Sequence, residues 1–251
     1  MTVPKSHPRY LSLMTRDRLV EGWKEGLVVT QGLIAHGRGE AFDYLLGEVT
    51  VDEARMAERA AASRLLLAQK PVISVNGNVG ALVPKEVAEL SRLLGCPVEV
   101  NIFHRTEERV TKLAKVLREH GCDEVLGEEP DAKLEGLDHA RALCSSRGIL
   151  TADVVLVPLE DGDRCQALKA AGKDVITIDL NPLSRTSKTA DITIVDNLIR
   201  AMPNLISEMK DLKEGLKEGT VSRKDLEKIV SDHSNDDNLK GILRSISERF
   251  S

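Results

Sequence analysis

Three short apolar runs within the stretch Asp153–Asn197 constrain the fold of this chain more than any other feature. They are Val154–Pro158, Val175–Ile178 and Ile192–Val195. Each run is rich in β-branched residues and bounded by polar ones, which is typical of strands buried on both faces of a sheet. Among the connectors only Arg164–Ala171 has a helical pattern, and Gly172 is placed to end it. The stretch therefore predicts a βαβ unit followed by a further strand.

Polar residues follow each run at the point where the predicted strand ends. Ligands of open α/β sheets bind beyond the carboxyl ends of the strands, so these residues are the first candidates for function. Some are acceptors that suit ribose hydroxyls, an adenine amine or hydrated Mg²⁺. They are Asp161, Asp163, Asp179 and Asp196. Others suit phosphate oxygens, and these are Arg164, Asn181, Arg185 and Thr186. Both kinds on neighbouring loops favour a bound nucleotide.

Two of these clusters also fit ordinary turn chemistry. The segment from Asp161 to Asp163 can be a turn in which Asp163 caps the following helix. Asp179 with Asn181 can form an Asx turn. Both alternatives stay open at the level of sequence.

A second group of candidates lies upstream. The predicted strand Pro71–Val75 is followed by a small turn that contains Asn76 and Asn78. Amide groups at a helix start can hold a phosphate or carboxylate there, although an ordinary tight turn fits equally well. The turn matches neither a dinucleotide fingerprint nor a P-loop.

The next predicted strand, residues 97–102, ends where Asn101, His104 and Arg105 converge just before a helix. An amide, an imidazole and a guanidinium together suit an anionic oxygen ligand such as a phosphate ester. A structural role is the alternative, with Arg105 paired to one of the two glutamates that follow it.

The rest of the chain reads as helical, apart from short connecting elements. In residues 1–70, Gly37 and Gly39 are expected to interrupt a helix, and Thr50 with Glu53 is a capping-box pattern that opens the next one. A helix is also predicted over residues 137–147. Further helices form the charged tail, and Pro203 either kinks the first of them or starts a new one.

The predicted fold class is α/β, with a Rossmann-like, mostly parallel sheet flanked by helices. A helical N-terminal region (1–70) packs on the α/β core (71–203), and a helical tail (204–251) follows. We expect these three parts to form one compact domain, because 251 residues suit one large α/β domain with appendages.

Composition excludes several classes of function. Aromatic residues make up only 2% of the chain and the net charge is −5, which argues against binding to nucleic acid. The four cysteines match no zinc or redox spacing, so buried free thiols are expected. No apolar run approaches the length of a membrane span and no signal peptide is evident, so a cytoplasmic protein without membrane contact is predicted.

Several long segments carry a family resemblance. They are HPRYLSLMTRDRL, HGRGEAFDYLLGE, GNVGALVPKE, EVNIFHRTEER, LEDGDR, DLNPLSRT and ITIVDN. Together they resemble the archaeal 4-phosphopantoate–β-alanine ligases, also called phosphopantothenate synthetases, from about His7 to about Pro203. The resemblance implies an ATP-dependent ligase of coenzyme A biosynthesis, which joins 4-phosphopantoate to β-alanine and releases AMP and diphosphate through an acyl-adenylate. It also implies a homodimer.

The resemblance further implies a set of residues that contact ATP. They are Arg16, Arg38, Asp179, Leu180, Asn181, Arg185, Thr186, Asp196 and Asn197. Mg²⁺ is expected to screen the triphosphate, with Asp161 or Asp163 nearby.

For 4-phosphopantoate our hypothesis is physical. Its phosphate and carboxylate would be held by Asn76, Asn78, Asn101, His104 and Arg105. Asn101, His104 and Arg105 are also the candidate catalytic residues, with Arg105 stabilising charge that develops on the acyl-adenylate. Two other classes of function remain. A non-catalytic nucleotide-binding regulator explains the polar loops but not the second anion cluster, and an interaction protein explains only the helical ends.

Overall fold

The computed structural model describes residues 4–7 and 9–250. The first three positions of the predicted N-terminal region, Pro8 of the HPRYLSLMTRDRL segment and the last residue of the tail lie outside the described residues. The strands are β1 (Pro71–Val75), β2 (Val98–Val100), β3 (Val125–Leu126), β4 (Ala132–Lys133), β5 (Leu143–Cys144), β6 (Val154–Leu156), β7 (Asp174–Ile178) and β8 (Ile192–Ile194).

Helices cover both faces of the sheet, and helices are also the first and last elements of the described chain. They are α1 (Tyr10–Lys24), α2 (Thr30–Leu46), α3 (Asp52–Leu67), α4 (Gly77–Leu82), α5 (Pro84–Leu94), α6 (Glu107–Glu119), α7 (Gly162–Ala170), α8 (Arg185–Thr189), α9 (Leu198–Glu218), α10 (Arg223–Asp232) and α11 (Asn235–Glu248). A single 3₁₀ turn, Ala140–Ala142, lies between β4 and β5.

The central sheet has six strands in the order β3-β2-β1-β6-β7-β8, and every neighbouring pair is parallel. Counting only its own strands, this is the 3-2-1-4-5-6 order of doubly wound nucleotide-binding folds. A separate antiparallel pair, β4 with β5, lies in the excursion between β3 and β6. The predicted Rossmann-like α/β class is confirmed, and the chain order reverses between β1 and β6.

The predicted core strands are confirmed. The three apolar runs become β6, β7 and β8, and β1 spans the residues predicted for it. Most of their side chains are aliphatic and fully buried, as Val155, Ile176 and Ile194 illustrate, and the hydroxyl residues Ser74, Thr177 and Thr193 are buried among them. A strand covered by helices on both faces needs no polar alternation, which is why the runs are continuous.

The expected break in α2 is wrong. The helix runs without interruption through Gly37 and Gly39. An added Cβ at Gly37 would meet nothing, and one at Gly39 would lie 3.6 Å from Leu180, an ordinary contact. Two glycines weaken a helix by only about 1 kcal/mol each, which packing against the core can offset.

The predicted capping box at the start of α3 is also wrong. Val51 is the residue that precedes this helix, and no side chain caps it. The Thr50 hydroxyl instead donates to Asp196 at 2.7 Å, and Glu53 accepts a hydrogen bond from Ser245 at 3.2 Å. The two side chains that the sequence pattern predicted as a helix cap therefore bond to residues far away in the sequence instead.

The helix predicted over residues 137–147 does not form. The Ala142 carbonyl accepts from Leu134 at 2.8 Å, and the Leu143 carbonyl accepts from the Asn101 side chain at 3.0 Å. Because tertiary partners occupy these carbonyls, the segment becomes a 3₁₀ turn and strand β5. The residue pattern of 137–147 favours a helix locally, but the tertiary hydrogen bonds of the folded chain outweigh that preference.

One further detail of the core differs from expectation, and another decides between two alternatives. The connector from β7 to β8 contains α8, so Arg164–Ala171 is not the only helical connector. Five residues are too few to show helical periodicity, although Ser184 caps α8 through a hydrogen bond from the Ser187 amide at 2.9 Å. Pro203 lies inside α9 and starts no new helix.

The C-terminal tail packs on the same chain. Leu226 of α10 is buried, and the predicted cap of that helix by Ser222 is confirmed. The Asn235 side chain of α11 accepts from the Thr193 amide at 2.8 Å, and the Asn238 side chain donates to the Thr193 carbonyl at 3.0 Å. Both bonds reach the outer edge of β8, the last strand of the sheet.

None of the described helices combines the length with the apolar composition needed to cross a bilayer. The cysteines are free and buried, as predicted. Burial raises the pKa of Cys96 and of Cys165 to about 12, so neither thiol is activated at neutral pH.

Candidate functional site

Asn76 forms hydrogen bonds with the segments that follow β1 and β6, the two strands between which the chain order reverses. Its side chain accepts from the Val79 amide at 3.1 Å and thereby caps α4 at the end of β1. The same side chain donates to the carbonyls of Pro158 and Leu159, at 3.1 and 3.0 Å, just beyond β6. Such a reversal point opens a crevice at the carboxyl edge of the sheet, where ligands bind in folds of this kind.

Leu159 sits at this crevice in a strained backbone conformation. Its φ is +54°, in the left-handed region that residues other than glycine rarely adopt. Strain of this kind persists where the surroundings enforce it, and it concentrates at functional sites. Here the Asn76 bond holds the Leu159 carbonyl while the chain turns into the acidic segment that follows.

A buried ion cluster lies at the same strand ends, between β1 and the segment that follows β6. Glu160 accepts from the guanidinium groups of both Arg141 and Arg164, and all three side chains are almost inaccessible to solvent. Arg164 also donates to Ser74 of β1 at 3.1 Å, which leaves its Nε and one Nη without a partner in the described part of the chain. Arg164 is thus held inside the protein by Glu160 and Ser74.

Sequence reasoning missed the role of Arg141. Its guanidinium also donates to Asn101 at 2.7 Å and to Asp161 at 2.8 Å, so it bridges the ends of β2 and β6. The i,i+4 spacing of Glu160 and Arg164 could have signalled their ion pair. Nothing local connects Arg141 with its partners, because the excursion between β3 and β6 brings them together only in the folded chain.

The turn after β7 has the Asx geometry considered above. Asp179 accepts from the Asn181 amide at 2.9 Å and from the Ser184 hydroxyl at 2.6 Å. The Asn181 side chain accepts from the Leu183 amide at 2.9 Å. Burial raises the pKa of Asp179, while these bonds oppose that effect. The turn is thus internally fixed, and Leu180 within it lies against Gly39 of α2.

The start of α8 lies against the segment after β6. An added Cβ at Gly162 would lie 2.6 Å from Cβ of Arg185, so this position requires glycine. Arg185 forms an ion pair with Asp163, and both side chains are well exposed. The Thr186 hydroxyl donates to the Glu160 carbonyl at 2.7 Å. The predicted residues of the two loops therefore meet at one edge.

The end of β8 is joined to α2. Asn197 caps α9 and donates to Asp43 at 2.9 Å, and Arg200 forms ion pairs with both Asp43 and Asp196 at 2.5 Å. A cavity of about 230 Å³ opens beside these residues; Asn197 and Arg200 line it together with Arg9 and other residues near the start of α1.

The two N-terminal candidates differ in their surroundings. Arg16 of α1 pairs with Glu40 at 3.0 Å and donates to the Tyr44 hydroxyl at 2.5 Å. Arg38 of α2 is exposed and makes no side-chain hydrogen bond within the described residues. Helix α2 reaches the ends of β7 and β8 through its contacts with Leu180 and Asn197, whereas α1 packs chiefly on α4, which follows β1.

Most of the upstream candidates are occupied by protein partners. Asn78 donates to the Gly32 carbonyl at 2.9 Å, and Arg105 donates to the Gly127 carbonyl at 2.7 Å. Asn101 is buried, with its oxygen taken by Arg141 and its nitrogen donating to backbone carbonyls. His104 is exposed beside Phe103, and within the described chain neither of its ring nitrogens has a partner.

Comparison with known proteins connects this edge to a family. The family model described as phosphopantothenate/pantothenate synthetase matches residues 53–249, which is more than half of the chain. The chain belongs to this family. The match covers the sheet, the ion cluster and the segments that follow β6, β7 and β8.

Curated relatives agree with this assignment to the phosphopantothenate/pantothenate synthetase family. A 4-phosphopantoate–β-alanine ligase of Thermococcus kodakarensis is 51% identical over 251 residues, covering 100% of this chain and 94% of the relative. The ligase of the same name from Methanosarcina mazei is 53% identical over 248 residues, covering 99% and 95%. A third, from Methanospirillum hungatei, is 56% identical over 203 residues, covering 81% and 83%. The family predicted from the sequence is thereby confirmed.

A synthetase that uses ATP implies Mg²⁺, and the donor set of this family member can be tested for it. Asp161 faces Arg141 and Asp163 faces Arg185, so each carboxylate already has a cationic partner. Nowhere in the described ranges do three His, Cys, Asp or Glu side chains converge as a metal cluster would require. The two aspartates therefore do not form a cation site of their own.

Proposed function

We propose that this protein joins 4-phosphopantoate to β-alanine in an ATP-dependent reaction that forms 4′-phosphopantothenate. The names of relatives that match almost the entire chain support the reaction. The single structural observation that supports it is the pair of polar groups on opposite sides of the crevice. One group follows β1 and β2, and the other follows β6, β7 and β8. Two substrates that react with each other must be bound side by side, and two neighbouring groups of polar residues can provide this.

We propose an acyl-adenylate route. A carboxylate oxygen of 4-phosphopantoate attacks the α-phosphorus of ATP, and diphosphate leaves. The amine of β-alanine then attacks the acyl carbon, the amide bond forms, and the bond from that carbon to the AMP oxygen breaks. No protein nucleophile is needed, so catalysis rests on positioning and on stabilising charge.

The ATP contacts predicted from the sequence become proposals for this chain. Arg185 and Thr186 bind phosphate oxygens. The turn of Asp179, Leu180 and Asn181, together with Asp196 and Asn197, holds the nucleoside, and Arg16 and Arg38 close over it from the N-terminal helices. The support is that the turn, α8 and the end of β8 share one edge of the sheet with α2 beside them.

For 4-phosphopantoate we propose His104 and Arg105 as the groups that touch the anion. Asn76, Asn78 and Asn101 belong to the same side of the crevice. Their side-chain nitrogens donate to backbone carbonyls, so contact with an anionic substrate would need a donor hydrogen that these bonds leave free, as at Asn78, or a rearrangement. Among these five residues, His104 has two ring nitrogens that no described group of the protein occupies.

Mg²⁺ would be held chiefly by phosphate oxygens and water. Of the two aspartates predicted near the ion, Asp163 would contribute at most one carboxylate, because it lies beside Arg185 of the proposed ATP side, whereas Asp161 is held by Arg141. Few protein ligands are usual for Mg²⁺ bound with a nucleotide. When bound, the ion neutralises charge on the triphosphate.

The deciding experiment is a nucleotide-product assay. The purified protein is mixed with ATP, Mg²⁺, 4-phosphopantoate and β-alanine, and each is omitted in turn. AMP and diphosphate formed only in the complete mixture are the expected result. ADP and phosphate would keep the ligase but replace the adenylate by an acyl-phosphate. ATP binding without turnover would favour the non-catalytic nucleotide-binding regulator.

The division of substrates can be tested by a pair of substitutions. We expect Arg105→Ala to raise KM for 4-phosphopantoate about tenfold and to change KM for ATP little, because one charged hydrogen bond is lost. Arg185→Ala should do the reverse. Steady-state kinetics with each substrate varied would measure both.

Arg223→Ala is the matched control, since Arg223 is an exposed residue of α10 whose one ion pair within the described residues is with its helix neighbour Glu227. If Arg105→Ala and Arg185→Ala change both KM values equally, the proposed division between the two sides of the crevice is wrong.

We further propose that the protein is a homodimer, and that it is cytoplasmic as the sequence predicts. Among the described residues, large exposed apolar side chains concentrate on the first three helices. They include Trp23, Ile34, Leu45 and Met56, of which Met56 is 60% exposed. Exposed apolar side chains are typical of an association surface when they cluster.

Ile34→Glu should convert the dimer into a monomer, because a charge buried at an apolar interface lacks a partner. Light scattering after size-exclusion chromatography would report the mass of one chain instead of two. Leu150→Glu, an equally radical change at an exposed site in the excursion between β3 and β6, should leave the mass unchanged. An unchanged mass for Ile34→Glu would exclude Ile34 from the interface.

A further inference from the structure

Asp161 lies where the two sides of the crevice meet. The Arg141 guanidinium that bonds Asn101 also bonds Asp161, which places Asp161 next to the proposed 4-phosphopantoate side. The next residue, Gly162, packs against Arg185 of the proposed ATP side. The activated carboxyl carbon must form where these two sides join, and the attacking amine must reach it there.

The carboxylate of Asp161 has an unoccupied oxygen at this junction. Its side chain is 54% exposed, and Oδ2 is the oxygen that accepts from Arg141. No group in the described part of the chain donates to Oδ1. Its neighbours differ in this respect, because Glu160 is buried between two guanidinium groups and Asp163 pairs with Arg185.

Arg141 determines where this carboxylate points. Only 4% of its side chain is exposed, and its three nitrogens donate to Asn101, Asp161 and Glu160. A guanidinium is a rigid planar fork, so three acceptors fix its orientation and it in turn fixes theirs. Lysine cannot reproduce this arrangement with a single nitrogen.

We propose that Asp161 binds the ammonium group of β-alanine and that Arg141 is the positioning residue that holds Asp161 for this contact. The inference rests on the proposed function. A carboxylate with a free oxygen suits an ammonium group through a charge-assisted hydrogen bond. Asp161 binds and orients the ammonium group, which loses one proton to solvent and so gains the lone pair that attacks; the nitrogen then forms the bond to the acyl carbon, the carbon–oxygen bond to the leaving phosphate breaks, and the second proton passes to solvent.

The test uses two nucleophiles with the same activated carboxyl group. β-Alanine carries an ammonium group, whereas hydroxylamine is uncharged at neutral pH and traps acyl-adenylates and acyl-phosphates alike as a hydroxamate. Asp161→Asn should raise KM for β-alanine about 10- to 100-fold, as expected for a lost hydrogen bond between charged groups. Formation of the hydroxamate from 4-phosphopantoate and ATP should stay near the wild-type rate.

Arg141→Lys tests the positioning role. It keeps the charge and should raise KM for β-alanine about tenfold, again with little change in hydroxamate formation. The matched controls are Asp232→Asn on α10 and Arg147→Lys, an exposed arginine of the same excursion that pairs with Glu124. Both controls should behave like the wild type with either nucleophile.

The outcomes separate this inference from the proposed function. A wild-type protein that forms neither amide nor hydroxamate would overturn the proposed function. A wild-type protein that forms both, with Asp161→Asn unchanged towards β-alanine or equally impaired with both nucleophiles, would overturn the inference alone. Asp161 is exposed, so its variant tests the inference even if Arg141→Lys does not fold.

Discussion

Replacing Glu160 by glutamine should lower the free energy of unfolding by about 3–5 kcal/mol, the usual consequence of breaking a buried ion pair. Glutamine has the same shape, so the loss would come from charge alone. Arg141 and Arg164 would remain buried with no carboxylate between them, and one of these guanidinium groups already has two donors without partners. Urea unfolding at neutral pH measures the change.

The pH dependence of this effect follows from the pKa of Glu160. Burial alone would raise that pKa, but the two guanidinium groups overcome burial and hold it below the usual value. A carboxylate with a lowered pKa stabilises the fold above its unfolded pKa, and this contribution is lost as pH falls through the folded pKa. The difference between the wild type and Glu160→Gln should therefore shrink under acidic conditions.

Glu208→Gln is the control for Glu160→Gln. Glu208 pairs with Arg59 on the surface at 3.1 Å, and exposed pairs of this kind contribute about 0–1 kcal/mol. A loss for Glu160→Gln as small as that for Glu208→Gln would show that the cluster does not stabilise the fold through its charges.

Glu58→Gln should have the opposite sign and should stabilise the protein at alkaline pH. Glu58 lies in α3 with only 1% of its surface exposed, and its carboxylate accepts from Asn204 at 3.1 Å. Burial raises the pKa of Glu58 to about 7, an effect that the Asn204 bond only partly opposes. A group whose pKa is raised stabilises the fold below its unfolded pKa and loses that contribution as pH rises through the folded pKa.

The size of the Glu58 effect follows from this shift. The raised pKa of Glu58 corresponds to about 3 kcal/mol that the wild type loses between roughly pH 4.5 and pH 8. Glutamine does not ionise, so the melting temperature of Glu58→Gln should exceed that of the wild type at pH 8 and converge with it at pH 5. Glu227→Gln on the exposed face of α10 should show no such trend. A constant offset at all pH values would contradict the ionisation of Glu58.

The strands of the sheet could be predicted because the residue pattern that identifies each strand lies within that strand and its immediate flanks. The runs that became β6, β7 and β8 are short, β-branched and bounded by polar residues, and each of these properties is readable without knowing the partner strand. The predicted site residues after β7 and β8 lie on one edge for the same reason, since parallel strands place their carboxyl ends together.

The parts that could not be predicted depend on distant partners. Thr50 fits a helix cap by spacing, yet it bonds Asp196. Residues 137–147 have helical spacing, yet Asn101 takes their carbonyl groups and Arg141 is buried between strand ends. The role of Arg141 could therefore be recognised only in the folded chain, although its side chain bonds to two of the candidate residues, Asn101 and Asp161.

The contact between α11 and β8 has a consequence for solubility. β8 is an outer strand of a parallel sheet, and an outer strand with free amide and carbonyl groups is a template on which another molecule can add a strand. Asn235 and Asn238 occupy both backbone groups of Thr193 on that side. The tail, which carries no recognisable chemistry of its own, thereby prevents the sheet from growing between molecules. Removing α11 would free this edge and uncover Leu46 and Val195, against which its side chains pack, so aggregation is the expected result.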